Sequence, residues 1–351
     1  MMKKWVEYQN STDRRNYGVR TVDGKEVPEQ SDLATIPYIQ VQQCRGDHLT
    51  YDNSTPYIYS ATAYAAHSAD ILRRTAYILG KTDDEKRYTE LFENIKRAFN
   101  DAWVNDDGSV SYYGEVSSQT AHCGESVALD GSVTRYTYYA ENTPHCPSQT
   151  AYALAVDFDL IPTDKLKNTR EYFKNSILRN NCKLTVGFLG ISHLAPALSK
   201  VGLDYVAFKL LEQEDNPSWL YSVKNGATTI WERWNSYIAE TGTFGDVSMN
   251  SFNHYSYGAI GQWFFTDILG ICPVEFGYKS FMLSPKFGGG LTYAKGSFTS
   301  PYGKISSAWK LHDGKFTYDC TVPTNTTATL KLPNGDIHTL VGGSYHFEIN
   351  V

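Results

Sequence analysis

Several features that would point to common functional classes are missing from this chain of 351 residues. Lysine and arginine form no stripe, and the formal net charge is −6, which argues against a nucleic-acid partner. No apolar run approaches the roughly 18 residues that a membrane span requires, so no membrane partner is predicted. Residues 1–8 contain no apolar stretch typical of a signal peptide. What remains is an ordinary globular composition.

The cysteines lack the spacing of a metal site. No CxxC pair and no alternation with histidine occurs among Cys44, Cys123, Cys146, Cys182, Cys272 and Cys320. The sequence therefore predicts neither a metal nor another cofactor. Reduced thiols and a cytoplasmic location are expected, with pairing of Cys123 and Cys146 as the alternative in an oxidising compartment.

Aromatic residues, by contrast, are abundant: 26 Tyr, 16 Phe and 7 Trp make up 14% of the chain. Tyrosine and tryptophan combine flat apolar faces with polar edges, which suits carbohydrate binding. A tyrosine-rich core would use the same residues. Composition alone leaves both interpretations open.

Helical periodicity dominates the sequence up to about residue 271. It predicts helices over 57–79, 84–104, 164–179, 203–212 and 251–269, and another that begins at Ser148 or Thr150 and ends at Leu160. Long helices joined by loops rich in glycine, asparagine and aromatic residues fit an α/α toroid around a central pocket. The polar segment 109–147 is interpreted as an inserted loop.

After Cys272 the pattern changes to short runs that alternate with period two. Asp313-Gly314 and Asn334-Gly335 provide turn signals between them. The predicted fold class is therefore mainly α with a β domain. An α/α toroid over residues 1–271 precedes an antiparallel β-sandwich over residues 272–351.

The run Trp231-Glu232-Arg233-Trp234 is the most distinctive candidate site. The tryptophans offer faces on which a sugar could stack, and the charge of Arg233 would favour the ionised form of Glu232. An ionised glutamate beside a pocket suits a general base that deprotonates water. The same residues also describe a turn held by an ion pair, so both interpretations stay open.

Polar residues in two other segments are further candidates. Asn250, Asn253 and His254 precede or open the predicted last helix, where they either face the pocket or cap the helix. Asp47 precedes the first long helix and either binds a sugar hydroxyl or closes a turn. Glycosidase chemistry needs two carboxylates. Beside Glu232, the weaker candidates for the second are Asp47, Glu115, Glu125 and Asp246.

Residues 226–234, followed by residues 249–255, resemble the C-terminal half of the catalytic domain of bacterial α-L-rhamnosidases, glycoside hydrolase family 78. Segments 149–154, 185–190 and 213–219 and the β domain follow in the family's order. The resemblance implies an (α/α)6 barrel with a C-terminal β-sandwich. It also implies inverting hydrolysis of terminal α-L-rhamnosides, with a rhamnose-containing glycoside or oligosaccharide as the substrate.

The resemblance also implies roles for particular residues. Glu232 matches the family's general base, and His254 matches a histidine that contacts the sugar. Asp47 lies in the family's Gly-Asp-Trp-Leu motif, in which His48 here replaces the tryptophan and removes a stacking face. The predicted substrate-binding residues are Asp47, His48, Trp231, Trp234, Asn253 and His254.

One family motif is absent from the sequence. The general acid of the family lies in an Asp-x-Pro-x-Arg-x-(Asp/Glu) segment, and nothing like it precedes Asp47. Fewer helices are predicted than the closed (α/α)6 barrel implied by the resemblance requires, so an incomplete (α/α)6 toroid is expected over residues 1–271. We therefore expect a fragment that lacks the general-acid segment and either self-associates or needs a separate N-terminal half.

Two other classes of function remain as alternatives. A non-catalytic rhamnose-binding protein, or an inactive remnant, would use the same aromatic and histidine residues without turnover. A polysaccharide lyase would need a Tyr or His base, with Arg or a metal to neutralise a uronate. The Trp-Glu-Arg-Trp run argues against the lyase.

Overall fold

The computed structural model describes most of the chain, in two compact units. The described residues are 2–10, 19–22, 25–28, 37–40, 46–51, 55–111, 124–127, 133–136 and 147–351. The first unit comprises Met1–Leu203 and Gln213–His254, and the second comprises Asp204–Glu212 and Tyr255–Val351. The domain boundary expected at residue 272 stays a prediction. Cys44, Cys123, Cys146, Glu115 and most of the predicted loop 109–147 lie outside the described residues.

The described α-helices are α1 (Met2–Gln9), α2 (Tyr57–Ile78), α3 (Thr82–Trp103), α4 (Gln149–Asp157), α5 (Leu166–Leu178), α6 (Phe188–Lys200), α7 (Asp204–Leu211), α8 (Trp219–Lys224) and α9 (Ile260–Trp263). A 3₁₀ turn, Ser256–Ala259, precedes α9, and a π turn, Phe264–Ile268, follows it. Among these helices none is both long and apolar enough to cross a membrane.

Close packing of α2 against its neighbours forms much of the core of the first unit. Alanines recur on the buried face of α2, so the helix can approach α3 closely. Tyr59 of α2 packs 4.8 Å from Phe99 and 5.2 Å from Trp103 between ring centroids. Its hydroxyl donates to the Ala151 carbonyl of α4 at 2.8 Å. The tyrosine thereby satisfies its polar end inside the core.

The observed helices differ from the predicted ones in several places. The periodicity missed α6, which contains Pro196 and begins within the Thr185–Gly190 segment, and it missed the short helix α8. The last helix was predicted from residue 251, but helical structure begins only at Ser256. The reason is that residues 251–254 hydrogen-bond with residues 229–232 instead of forming a helical turn.

Short β-ribbons accompany the helices of the first unit. They pair β1 (Val19–Val22) with β2 (Lys25–Pro28), β3 (Gly124–Val127) with β4 (Val133–Tyr136), and β5 (Tyr237–Ile238) with β6 (Thr243–Phe244). Glu125, one of the candidate carboxylates, lies on β3.

The second unit contains two four-stranded sheets, ordered β14-β11-β10-β9 and β13-β12-β8-β7. The strands are β7 (Ile271–Pro273), β8 (Ser280–Leu283), β9 (Tyr293–Ser300), β10 (Gly303–His312), β11 (Lys315–Val322), β12 (Thr327–Lys331), β13 (Ile337–Leu340) and β14 (Gly343–Asn350). Alternate residues of β11 are buried, as the period of two predicts. All pairings are antiparallel except that of β8 with β12. His338 of β13 contacts Phe347 of β14, at 4.9 Å between ring centroids, so the two sheets touch at this point.

Candidate active site

The two segments that the sequence singled out lie side by side in the first unit. The backbone N–H of His254 donates to the Ile230 carbonyl at 2.8 Å, and that of Glu232 donates to the Ser251 carbonyl at 2.9 Å. The Thr229 hydroxyl also donates to the Phe252 carbonyl. These bonds place Glu232 and His254 on adjacent, hydrogen-bonded stretches of chain.

Glu232 is buried, with 9% of its surface exposed, and its two carboxylate oxygens have different surroundings. Oε2 accepts a hydrogen bond from the Ser251 backbone N–H at 2.7 Å. No donor from the described part of the chain reaches Oε1. One oxygen therefore fixes the carboxylate, and the described residues leave the other without a protein donor, an arrangement that suits a general base.

Arg233 makes its ion pair with Asp246 rather than with Glu232. Its Nη2 lies 2.9 Å from Asp246 Oδ2, and its Nε donates to the Met249 carbonyl at 2.8 Å. Hydrogen bonds from Ser248, together with the charge of Arg233, hold the pKa of Asp246 below its usual value. Arg233 thus stabilises the loop 246–249. The turn held by an ion pair is present, but Glu232 takes no part in the pair.

The two tryptophans flanking Glu232 and Arg233 have different environments. Trp234 is only 3% exposed, and its indole N–H donates to the Val186 carbonyl at 2.9 Å. This geometry favours a packing role for Trp234. Trp231 packs edge-on against Phe252 at 5.2 Å and lines a cleft of about 490 Å³. The cleft is lined by Asn225, Gly226, Ala227, Thr228, Thr229, Trp231, Tyr237, Phe244 and Phe252.

Asp47 holds the first turn of α6. Oδ2 accepts from the Thr150 hydroxyl and from the Gly187 N–H at 2.8 Å. Oδ1 accepts from the N–H groups of Leu189 at 2.8 Å and Gly190 at 3.0 Å. Burial raises the pKa of the Asp47 carboxyl, and these hydrogen bonds oppose that rise. Of the two roles left open by the sequence, this geometry favours the structural one.

His48 and His254, both predicted to bind the substrate, contact the same phenylalanine ring. Phe188 stacks on His254 with centroids 4.8 Å apart and planes inclined by 19°. Its edge-to-face contact with His48 has a centroid distance of 5.5 Å and an angle of 78°. Asn253 is exposed, and its backbone N–H donates to the Ser251 hydroxyl at 3.1 Å. The structure therefore brings Glu232, His48, Asn253 and His254 into one region of the first unit.

Phe188 lies in segment 185–190, but the sequence motifs assigned it no role, and they missed a second polar cluster. Tyr64 of α2 lies 3.2 Å from Nε2 of His193 of α6, whose Nδ1 lies 2.6 Å from Oδ2 of Asp157 of α4. Burial raises the pKa of Tyr64. The three residues are far apart in sequence and match no motif, so no local signal pointed to them. No group of three His, Cys, Asp or Glu side chains within the described ranges is arranged to hold a metal.

Comparison with known families assigns the class of the fold. The profile of the bacterial alpha-L-rhamnosidase 6 hairpin glycosidase domain matches residues 1–268. That of the bacterial alpha-L-rhamnosidase C-terminal domain matches residues 270–347. The chain thus has a six-hairpin glycosidase fold followed by a β domain, which confirms the predicted fold class. It belongs to the bacterial α-L-rhamnosidase family, as the resemblance predicted.

Individual relatives agree with this assignment. An α-L-rhamnosidase of Streptomyces avermitilis is 37% identical over 82% of this chain, and one of Formosa agariphila is 32% identical over 97%. The chain spans 24% and 31% of their respective lengths. The crystal structure of a Streptomyces avermitilis α-L-rhamnosidase complexed with L-rhamnose matches 99% of this chain and 30% of its own, with a TM-score of 0.77 and 31% identity. An α-L-rhamnosidase from Aspergillus terreus matches 89% of this chain and 34% of its own, with a TM-score of 0.75 and 28% identity.

Proposed function

We propose that the site around Glu232 acts in the inverting hydrolysis of terminal α-L-rhamnosides, with Glu232 as the general base. The observation that carries this is the asymmetric carboxylate, whose Oε2 is held by the Ser251 N–H while no donor among the described residues reaches Oε1. Membership of the family supports the reaction class. The Streptomyces avermitilis enzyme crystallised in complex with L-rhamnose, which supports a rhamnose-containing glycoside or oligosaccharide as the substrate.

In an inverting reaction the base removes a proton from a water that attacks the anomeric carbon, while an acid protonates the leaving oxygen on the other face. Oε1 of Glu232 is the atom that takes the proton in this proposal. His48, Trp231, Asn253 and His254 are proposed to contact the sugar.

No carboxylate with a described side chain is assigned to the acid. Both oxygens of Asp47 are occupied by hydrogen bonds, and Asp246 pairs with Arg233. Glu115 lies outside the described residues, and the side chain of Glu125 is not described. An aryl α-L-rhamnoside, whose leaving group needs little protonation, is therefore the appropriate test substrate.

Release of the chromophore from an aryl α-L-rhamnoside tests the base directly. Glu232→Gln should lower kcat/KM by about 10²–10⁴-fold, the usual contribution of general acid–base catalysis. The exposed Glu240 supplies a matched control, and Glu240→Gln should leave the rate unchanged. Equal rates for the wild type and Glu232→Gln would exclude the role. Proton NMR of the first-formed rhamnose anomer checks inversion.

A non-catalytic rhamnose-binding role is the second candidate, favoured by the aromatic cleft beside Trp231. Calorimetric titration of the wild type with L-rhamnose distinguishes the two functions. Binding without release of the chromophore supports the binding protein, whereas turnover supports the hydrolase. Neither binding nor turnover would argue against both.

Self-association of the chain is also proposed. Large hydrophobic side chains are exposed on α1 and α2, among them Trp5, Tyr57 and Tyr77. Such side chains favour association when they form contiguous patches. Light scattering coupled to size exclusion tests this, and a monomer of 39.5 kDa would contradict it.

A further inference from the structure

The ring of His254 needs an external contact to fix its orientation. The χ2 torsion of histidine has a broad, roughly two-fold preference, so the side chain alone does not select one ring plane. The backbone of His254 is held by its hydrogen bond to the Ile230 carbonyl at 2.8 Å. The ring plane sets the directions in which the two ring nitrogens can reach a ligand.

Phe188 lies against the face of this ring. The centroid separation of 4.8 Å and the interplanar angle of 19° are those of an offset stack. Any rotation of the imidazole about χ2 other than a flip of about 180° would tilt it out of this stack and lose the face contact. The phenyl ring therefore restrains the ring plane of His254.

Phe188 is itself fixed by several independent contacts. It is the first residue of α6, and its N–H donates to the His48 carbonyl at 2.9 Å. The residues on either side, Gly187 and Leu189, both donate to Asp47 at 2.8 Å. A Cβ on Gly187 would lie 2.6 Å from the Asp47 carbonyl oxygen and closer still to that of His48, so the backbones are in direct contact here.

We propose that Phe188 is a positioning residue that sets the orientation of the His254 imidazole in the rhamnoside site. Asp47 and Gly187 hold Phe188, Phe188 holds His254, and His254 lies on the segment hydrogen-bonded to that of Glu232. This gives Asp47 an effect on the site without a contact to the sugar. The inference rests on the proposed function for its consequence, but the ring geometry is testable in the ligand-free protein.

The first test is NMR of the ligand-free chain with ¹³C-labelled histidine, in which His254→Gln assigns the His254 signals. A phenyl ring stacked on the imidazole shifts the C–H resonances of His254 upfield. Phe188→Leu should move them downfield, and Phe188→Tyr, which keeps the ring, should restore the wild-type position. Phe173 of α5 is fully buried against Tyr152, so Phe173→Leu is a matched control that should leave the His254 signals in place.

The second test is calorimetric binding of L-rhamnose to the same variants. Phe188→Leu should weaken the Kd by about 2- to 12-fold, since an aromatic pair contributes about 0.5–1.5 kcal/mol and each 1.4 kcal/mol is about tenfold. Phe188→Tyr should recover the affinity, and it remains informative if Phe188→Leu does not fold.

Unmoved His254 resonances in Phe188→Leu, or an equal displacement in Phe173→Leu, would overturn the inference. An unchanged Kd in Phe188→Leu would also overturn it. A wild type that neither binds nor hydrolyses a rhamnoside would remove the proposed function, while the NMR result would still decide whether Phe188 orients His254.

Discussion

Asp47 and Glu232 are buried to nearly the same extent, with 6% and 9% of their surfaces exposed, yet their environments are opposite. Asp47 accepts hydrogen bonds with both oxygens, from three backbone N–H groups and one hydroxyl. From the described residues Glu232 accepts one, through Oε2. Burial alone therefore does not separate a structural carboxylate from one that is proposed to act as a base. The two carboxylates differ instead in how many of their lone pairs accept hydrogen bonds from protein donors.

The positions of the two residues explain this difference. The carboxylate of Asp47 lies at the N-terminus of α6, where the first N–H groups of a helix have no intrahelical partner and favour negative charge. Glu232 lies on an irregular segment where a single backbone N–H is offered. We expect the hydrogen bonds that Asp47 accepts to stabilise the fold. We expect Oε1 of Glu232 to accept the proton in the proposed reaction.

The largest expected effect on stability is that of Asp47→Ala. It leaves the N–H groups of Gly187, Leu189 and Gly190 without their acceptor, and each buried unpaired donor costs about 1–3 kcal/mol. We expect a loss of about 3 kcal/mol or more in the free energy of unfolding. Glu232→Ala leaves only the Ser251 N–H without its acceptor, and because this group is partly buried the cost should be smaller, about 0.5–1.5 kcal/mol. Urea unfolding measures both, and equal losses would break the comparison between the two carboxylates.

A second variant tests the contact between residues 47–48 and the start of α6 without changing a charged residue. Gly187→Ala forces a Cβ against the carbonyls of Asp47 and His48, and such overpacking typically costs about 1–3 kcal/mol. Gly261 of α9 has open space around its Cβ direction, so Gly261→Ala is a control that should be neutral or slightly stabilising. Thermal melting compares the two. If Gly187→Ala is as stable as the control, the backbone at this contact can shift to accommodate a Cβ at little cost in stability.

The sequence predicted most of the helical framework because apolar periodicity is a local property. The helix expected over 57–79 is Tyr57–Ile78, and that over 84–104 is Thr82–Trp103. The side chain of Ser148 caps α4, accepting from the Ala151 N–H at 3.0 Å. These features depend on residues a few positions apart, which is the range over which patterns can be read.

The parts that could not be predicted depend on distant partners. The acceptor role of Asp47 requires Thr150 and residues 187–190, more than a hundred positions away. The non-helical course of residues 251–254 follows from their pairing with residues 229–232, against a helical pattern that begins nearby. Arg233 was expected to act on its neighbour Glu232, yet its ion pair is with Asp246. In each case tertiary hydrogen bonding outweighs the local signal.

Asp246 supplies the smallest expected effect and an intermediate case between the two buried carboxylates. Hydrogen bonds from Ser248 and the charge of Arg233 lower its pKa from the ordinary value of 3.8. A carboxyl whose pKa is lower in the folded state stabilises the fold above its unfolded pKa, and this contribution is lost as the pH falls through the folded pKa. Because the pair with Arg233 is partly exposed, we expect about 0.2–1 kcal/mol.

Asp246→Asn isolates the charge, because the amide oxygen can still accept from the Ser248 N–H, which donates to Oδ1 at 2.8 Å. The variant should be slightly less stable than the wild type near neutral pH, and the difference should shrink as the pH falls below 3.8. Urea unfolding at a series of pH values follows this difference. A difference that grows on acidification would contradict the sign. A loss of stability as large as that of Asp47→Ala would show that a partly exposed carboxylate stabilises the fold as much as the buried Asp47. The number of occupied lone pairs would then no longer explain which carboxylate stabilises the fold.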